Sequence, residues 1–149
     1  MFNLKNDNGR RGNVKISVKV NAPIEKVWDA ITNREQMKEW YFNIPDFELK
    51  EHAAFNFFEG EDKKLHHHCE IVEIIPQKKL KHSWTYPDYT HDKTLVKWEL
   101  QPESNGTLVT LTHKGLENFD HLGANFKKEK FQNSWDEILN KALKNFVEN

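Results

Sequence analysis

Val109-Thr110-Leu111-Thr112-His113-Lys114-Gly115, followed after a polar connection by a segment of helical period around Trp135, decides the fold. In the first piece Val109, Leu111 and His113 alternate with Thr110 and Thr112, the period-2 pattern of a strand with one face in and one face out. In the second, Phe131, Trp135, Ile138, Leu139, Ala142, Leu143 and Phe146 recur at i, i+3, i+4 and i+7, the stripe of an amphipathic helix. Such a helix, of roughly 20 residues, runs about 30 Å, enough to cross a sheet from edge to edge. Its apolar stripe must be buried, and the partner available from the rest of the chain is an antiparallel sheet.

Outward from that pair, the strand signals are regular. Ile16, Val18 and Val20 alternate with Ser17 and Lys19, and Asn21-Ala22-Pro23 ends this strand while starting a helix. Val27, Trp28 and Ile31 share one face of that short helix; a second, from Arg34, brings Met37, Trp40 and Tyr41 to one side. Strands are then predicted at Phe47 and Leu49, at Ala53, Phe55 and Phe57 up to the turn Glu59-Gly60-Glu61-Asp62, and from Leu65 to Ile75 before Pro76. Leu80, His82 and Trp84 alternate ahead of Tyr86-Pro87-Asp88; Val96, Trp98 and Leu100 follow, and Pro102 to Gly106 turns into the strand quoted first. The expectation is an α+β fold of seven strands and three helices, a single domain over residues 14–149 behind a flexible tail of residues 1–13.

At 149 residues the chain is large enough to bury a core without disulfides or metals. Its net charge of -1, from 22 basic and 23 acidic side chains, sets up no field that draws a protein to nucleic acid or anionic lipid. Met1 to Gly12 is polar and carries Arg10-Arg11 with no apolar run behind it, which fits neither a signal peptide nor a membrane span. One cysteine, Cys69, suits a reducing compartment, and a cytoplasmic location is expected.

In their order and spacing these residues resemble the activators of the heat-shock-protein-90 ATPase and their bacterial homologues, within the START and Bet v 1-like superfamily. The resemblance rests on Ala22-Pro23, Val27-Trp28, Ala30-Ile31-Thr32, Trp40, Glu70 to Ile74 with Pro76, Leu80, Trp84, Val96, Trp98, Leu100, Gly106-Thr107, Thr112 to Gly115, Trp135, Leu139 and Leu143. It implies a helix-grip fold: a curved seven-stranded antiparallel sheet, two short helices between its first two strands and a long C-terminal helix over the concave face. It also implies a cavity between sheet and helix that takes apolar small molecules in related proteins, and it brings a stress-response setting and lipid binding into view. Where many members have glycines before the third strand, this chain has His52-Ala53-Ala54. Proteins that activate the chaperone carry a further N-terminal domain with no counterpart in these residues, so chaperone activation is not carried over with the fold.

Strand parity points Phe55, Phe57, Trp84, Trp98 and Trp135 between sheet and helix, where planar rings either stack on a flat ligand or simply fill the core. It sends His67, His82, His113 and Cys69 to the same face as polar handles for a ligand, with His113, in the most recognisable motif, as the best candidate. These nine are the expected ligand-binding residues. His66, His68 and Glu70 share the opposite strand face, but a surface histidine run accounts for them and no metal or cofactor is expected. Cys69, in mid-strand, reads as a small buried hydrophobe rather than a nucleophile, and Glu70 and Glu73 fall on opposite faces unless a bulge intervenes. No nucleophile elbow, phosphate loop or dinucleotide fingerprint is present. The charges Lys127, Lys128, Glu129 and Lys130 read as a solvated helix start.

The function expected from this pattern is a binding module, not an enzyme, that holds a hydrophobic aromatic or lipid-like molecule; it is a monomer or weak dimer with no nucleic-acid partner and no membrane insertion. The alternatives are a cyclase-like or hydrolase-like enzyme using His113 or His82 as a general base, and a co-factor of a chaperone ATPase.

Overall fold

The computed structural model describes residues 12–60, 62 and 64–149. Six strands, β1 (Val14–Val20), β2 (Ala54–Glu59), β3 (Leu65–Ile75), β4 (Lys79–Trp84), β5 (Thr94–Glu103) and β6 (Gly106–Lys114), form one antiparallel sheet in the order β1-β6-β5-β4-β3-β2. Between β1 and β2 lie α1 (Ile24–Thr32) and α2 (Arg34–Trp40). Asn33 joins the two helices by ending the first and capping the second, its side chain accepting from the Gln36 backbone N–H at 3.0 Å. Two 3-10 turns, Leu116–Leu122 and Ala124–Phe126, lead into the C-terminal helix α3, which runs α-helical through Lys128–Glu137, π-helical through Ile138–Leu143 and α-helical again through Lys144–Glu148. Most of the expected tail lies outside the described residues, but Gly12 and Asn13 are already packed, and the Gly12 carbonyl accepts from Leu116 N at 2.8 Å.

The sheet has six strands rather than seven. Phe47 and Leu49 do alternate, but Pro45 removes a ladder donor and Phe47 N closes a turn onto Ile44 O at 3.1 Å. The segment is hydrogen-bonded to the sheet by Asp46, which accepts from Asn56 N and from Asn56 Nδ2, both at 3.0 Å, and covers the edge of β2, while Phe47 packs on Phe55 at 5.1 Å. His52 takes φ 72°, the left-handed conformation that glycine adopts freely, so the backbone feature survives the departure from glycine. From there His52 N bonds Ile71 O and Ile71 N bonds Ala53 O, each at 2.9 Å.

A second irregularity lies in β3, where the register with β4 shifts between Ile71 and Glu73. The extra residue, Val72, is exposed, and the bulge turns Glu73 onto the outer face with Glu70. Glu73 pairs there with Lys79 at 3.4 Å, on the far side of the sheet from the helix.

In α3 the fully buried residues are Phe131, Trp135, Leu139, Leu143 and Val147, every fourth position, while Ile138, Ala142 and Phe146 are half-buried. Four residues of α-helix turn about 400°, so a stripe of that spacing creeps about 40° around the helix at each step. The π stretch takes more residues per turn and brings Leu139 and Leu143 back toward the sheet. The far end is tied down by Glu148, which accepts from Asn21 N at 2.8 Å, and by Lys144. Among the described residues no helix is long and apolar enough to cross a membrane.

Candidate functional site

Phe55, Phe57, Cys69, Trp84, Trp98 and Trp135 lie buried on the concave side, together with His67, His82 and His113. They do not enclose a hollow. Trp135 sits at the centre, its ring 5.3 Å from Trp84, 5.8 Å from Trp98 and 6.4 Å from Tyr41. The space left between α1, α2 and the sheet is about 10 Å³, bordered by Tyr41, Phe55, His82 and Trp98, room for one water at most. The cavity implied by the family resemblance is therefore filled by the protein's own rings, as close packing of an aromatic-rich interior favours.

His113 is fully spoken for. Trp135 Nε1, which can only donate, gives its hydrogen to His113 Nδ1 at 3.1 Å. The neutral ring then carries its own hydrogen on Nε2 and donates to Thr94 Oγ1 at 2.7 Å, and that hydroxyl donates to Trp84 O at 2.9 Å. This chain ties α3 to β6, β5 and β4 with every donor and acceptor used. Burial, with a smaller contribution from His82, lowers the His113 pKa to about 3, and burial lowers that of His82 to about 4. His82 Nδ1 donates to Ser83 O at 2.9 Å. His82 and His113 are both paired with Val96 from opposite sides, so a strand lies between the two imidazoles, and the Trp84 ring packs against each, at 6.2 Å and 5.5 Å. Burial, aided by the charge of Asp46, pushes the Cys69 thiol up, away from thiolate chemistry.

His67 differs. Its ring is buried against Phe57 at 4.3 Å and Trp84 at 5.1 Å, yet both nitrogens face oxygen acceptors: Nδ1 meets Leu65 O at 3.2 Å and Nε2 meets Glu59 Oε1 at 3.2 Å. The ring is thus held at both nitrogens, and Glu59 is tied to the wall of β3. Tyr86, which the strand pattern left in a turn, packs 4.8 Å from His67 and accepts from Trp84 Nε1 at 3.0 Å. The parity of Leu80, His82 and Trp84 continues to Tyr86 past the end of β4 and was the available signal. Tyr41, which the helical period sets on one side of α2 with Met37 and Trp40, also packs here without being among the nine expected site residues; burial first, then the neighbouring Cys69, Glu59 and Tyr86, raise its hydroxyl well above the ordinary tyrosine range.

Above this pair the grip opens. A depression of about 240 Å³ lies between the end of the sheet and the start of α3, walled by Leu65, Tyr86, Tyr89, Phe126 and Phe131, with Glu59, Asn125, Lys130 and Ser134 at its rim. Its lip is held by Tyr89 N and Thr90 N, which both bond Tyr86 O, and by the Thr85 hydroxyl, which donates to Asp92 O. A wider depression of about 850 Å³ lies on the outer face of the sheet, among Lys15, Ser17, Glu99, Gln101 and Thr110, and shares no lining residue with the small space under the helices. On that face His66 Nε2 and His68 Nδ1 both bond Asn56 Oδ1 at 2.8 Å. Among the described residues no three histidine, cysteine or carboxylate side chains converge as metal ligands.

The sequence from residue 21 to 148 matches the family described as activator of Hsp90 ATPase homolog 1-like protein. The chain belongs to this family. Solved structures of the same architecture include DynU16 from the dynemicin biosynthetic locus, at 18% identity over 94% of this chain and 48% of that one, with a TM-score of 0.76. The present chain thus spans about half the length of DynU16. The Aha1 protein of Colwellia psychrerythraea, solved as a dimer, is 20% identical over 91% of this chain and 96% of that one, with a TM-score of 0.71. Bacillus halodurans BH1534 is 26% identical over the same shares, with a TM-score of 0.70. No curated protein sequence matches the chain. Family membership supports a ligand-binding domain and leaves the ligand open.

Proposed function

We propose that the chain is a cytoplasmic small-molecule binding module whose guest, a flat hydrophobic molecule, docks at the mouth of the grip rather than in its interior. The observation that carries this reading is the 240 Å³ depression walled by four aromatic rings beside the His67–Glu59 pair, while the interior keeps only about 10 Å³. Aromatic walls with a few polar groups at the rim are what a small apolar ligand with one polar end requires. Deeper entry would cost the displacement of Trp135 or Tyr41 from their packed positions. This reading is favoured over the enzyme alternative because His113 has both nitrogens engaged and Val96 of β5 lies between it and His82 in the sheet.

The test is a titration of the purified chain with lipids and planar aromatics, followed by amide NMR shifts and tryptophan fluorescence. Compounds that bind are expected to move Tyr89, Phe126 and Ser134, and Ser134→Trp, at an exposed position, is expected to abolish those shifts while leaving the unfolding curve within about 0.5 kcal/mol. If no compound bound tighter than about millimolar, the reading would fail. A second reading is favoured by the filled interior itself, because a domain that is solid without a guest can act through its surface. On that reading the chain is a co-factor of a chaperone ATPase, as the family description suggests, and stimulation of such an ATPase by the isolated chain is its signature.

A further inference from the structure

The rim of the depression carries two charged side chains, one partnered within the fold and one not, a difference that the binding reading does not use. Glu59 and Lys130 are its two charged lining residues. Glu59 is met on its own wall by His67, whose Nε2 lies 3.2 Å from Glu59 Oε1, so this carboxyl group already has a partner within the fold. Lys130, on the opposite wall, is exposed and its ammonium group has no ion-pair or hydrogen-bond partner among the described residues. Ser134 lies one helical turn further along the same face of α3, so a hydroxyl stands beside the ammonium. The walls below are the rings of Tyr86, Tyr89, Phe126 and Phe131, and the volume is that of about eight waters.

We infer that the mouth is a site for a small aromatic monocarboxylate, its ring against the aromatic wall that Tyr86, Tyr89, Phe126 and Phe131 form and its carboxylate on Lys130 and Ser134. This rests on the proposed binding role of the mouth and names the class of guest. A neutral ring of the same shape fills the same walls but leaves the ammonium unpaired, and a cationic one is repelled by it. The lysine is a specificity determinant, separate from the apolar walls that hold the ring.

The experiment uses three probes of one shape: 2-naphthoate, its neutral amide 2-naphthamide, and the cation 2-naphthylmethylammonium. They are titrated into the full chain at neutral pH and low salt, where charge contacts are least screened, with amide NMR shifts as the readout. 2-Naphthoate is expected to bind at least tenfold tighter than the other two, and Lys130→Gln is expected to reduce it to the affinity of the amide without changing the amide's own. Equal binding of all three, or a carboxylate preference that Lys130→Gln leaves intact, overturns the inference and leaves the mouth a binding site of other selectivity. Failure of all three to bind overturns the inference together with the binding role.

Discussion

The centre of the grip and its mouth are built from the same kinds of side chain, tryptophan, tyrosine, phenylalanine and histidine, and they do different things. At the centre His113 uses both ring nitrogens internally, between Trp135 and Thr94, and the rings around it leave no usable space. At the mouth His67 meets Glu59, the rings of Tyr86, Tyr89, Phe126 and Phe131 form one wall of an open depression, and Lys130 is left to find a partner. Aromatic and histidine content does not by itself mark a site. A site begins where polar atoms are not already spent within the fold.

Protons strike the centre hardest. His113 and His82 have folded-state pKa values of about 3 and about 4, below the ordinary histidine value, so between those limits the unfolded chain binds protons that the folded chain refuses. Stability from these groups is complete above about pH 6.5 and falls as the pH drops, by about 1.4 kcal/mol per pH unit for each histidine once below that value, continuing until the folded-state values are passed. Urea unfolding followed from pH 7 to 4 is expected to show this slope, and His82→Gln is expected to remove about half of it. A flat profile would mean that the centre is wetter than its packing shows.

Truncation sharpens the contrast at one residue. Trp135→Ala is expected to cost about 3–5 kcal/mol through the lost ring and the cavity it leaves. Trp135→Phe keeps most of the volume but leaves His113 Nδ1 without its donor, an expected cost of about 1–3 kcal/mol. Equal unfolding midpoints for Trp135→Phe and the native chain would show that the hydrogen-bond chain contributes nothing. The smallest effect lies away from both regions: His52→Gly relieves a left-handed conformation and is expected to stabilise by about 0.5–1 kcal/mol in the same assay.

Much of this was legible in the residues. The alternation of Val109, Leu111 and His113 gives the buried face of β6, and the same rule places Phe55, Phe57, His67, Cys69, His82, Trp84 and Trp98 on the concave side, because a strand's period of two has no freedom once one face is buried. The rule fails where the backbone leaves the strand. Phe47 and Leu49 alternate within a segment that proline and an aspartate side chain hold off the ladder, Val72 inserts a residue into β3, and Tyr86 keeps the parity beyond the end of β4. Lys130 reads in the sequence as one of several solvated charges at a helix start, and its position opposite Glu59 appears when the end of the sheet and the start of α3 are brought together.

The sequence by itself determined which face of each strand is apolar and that one long helix must cover that face, since hydrophobic period is local and burial enforces it. The tertiary structure alone decided that the space beneath the helix is filled and that the opening lies at its start. Whether rings fill a space or border an opening depends on how far the sheet bends and on the turn-by-turn rotation of α3 through its π stretch, quantities set by contacts between residues distant in the chain.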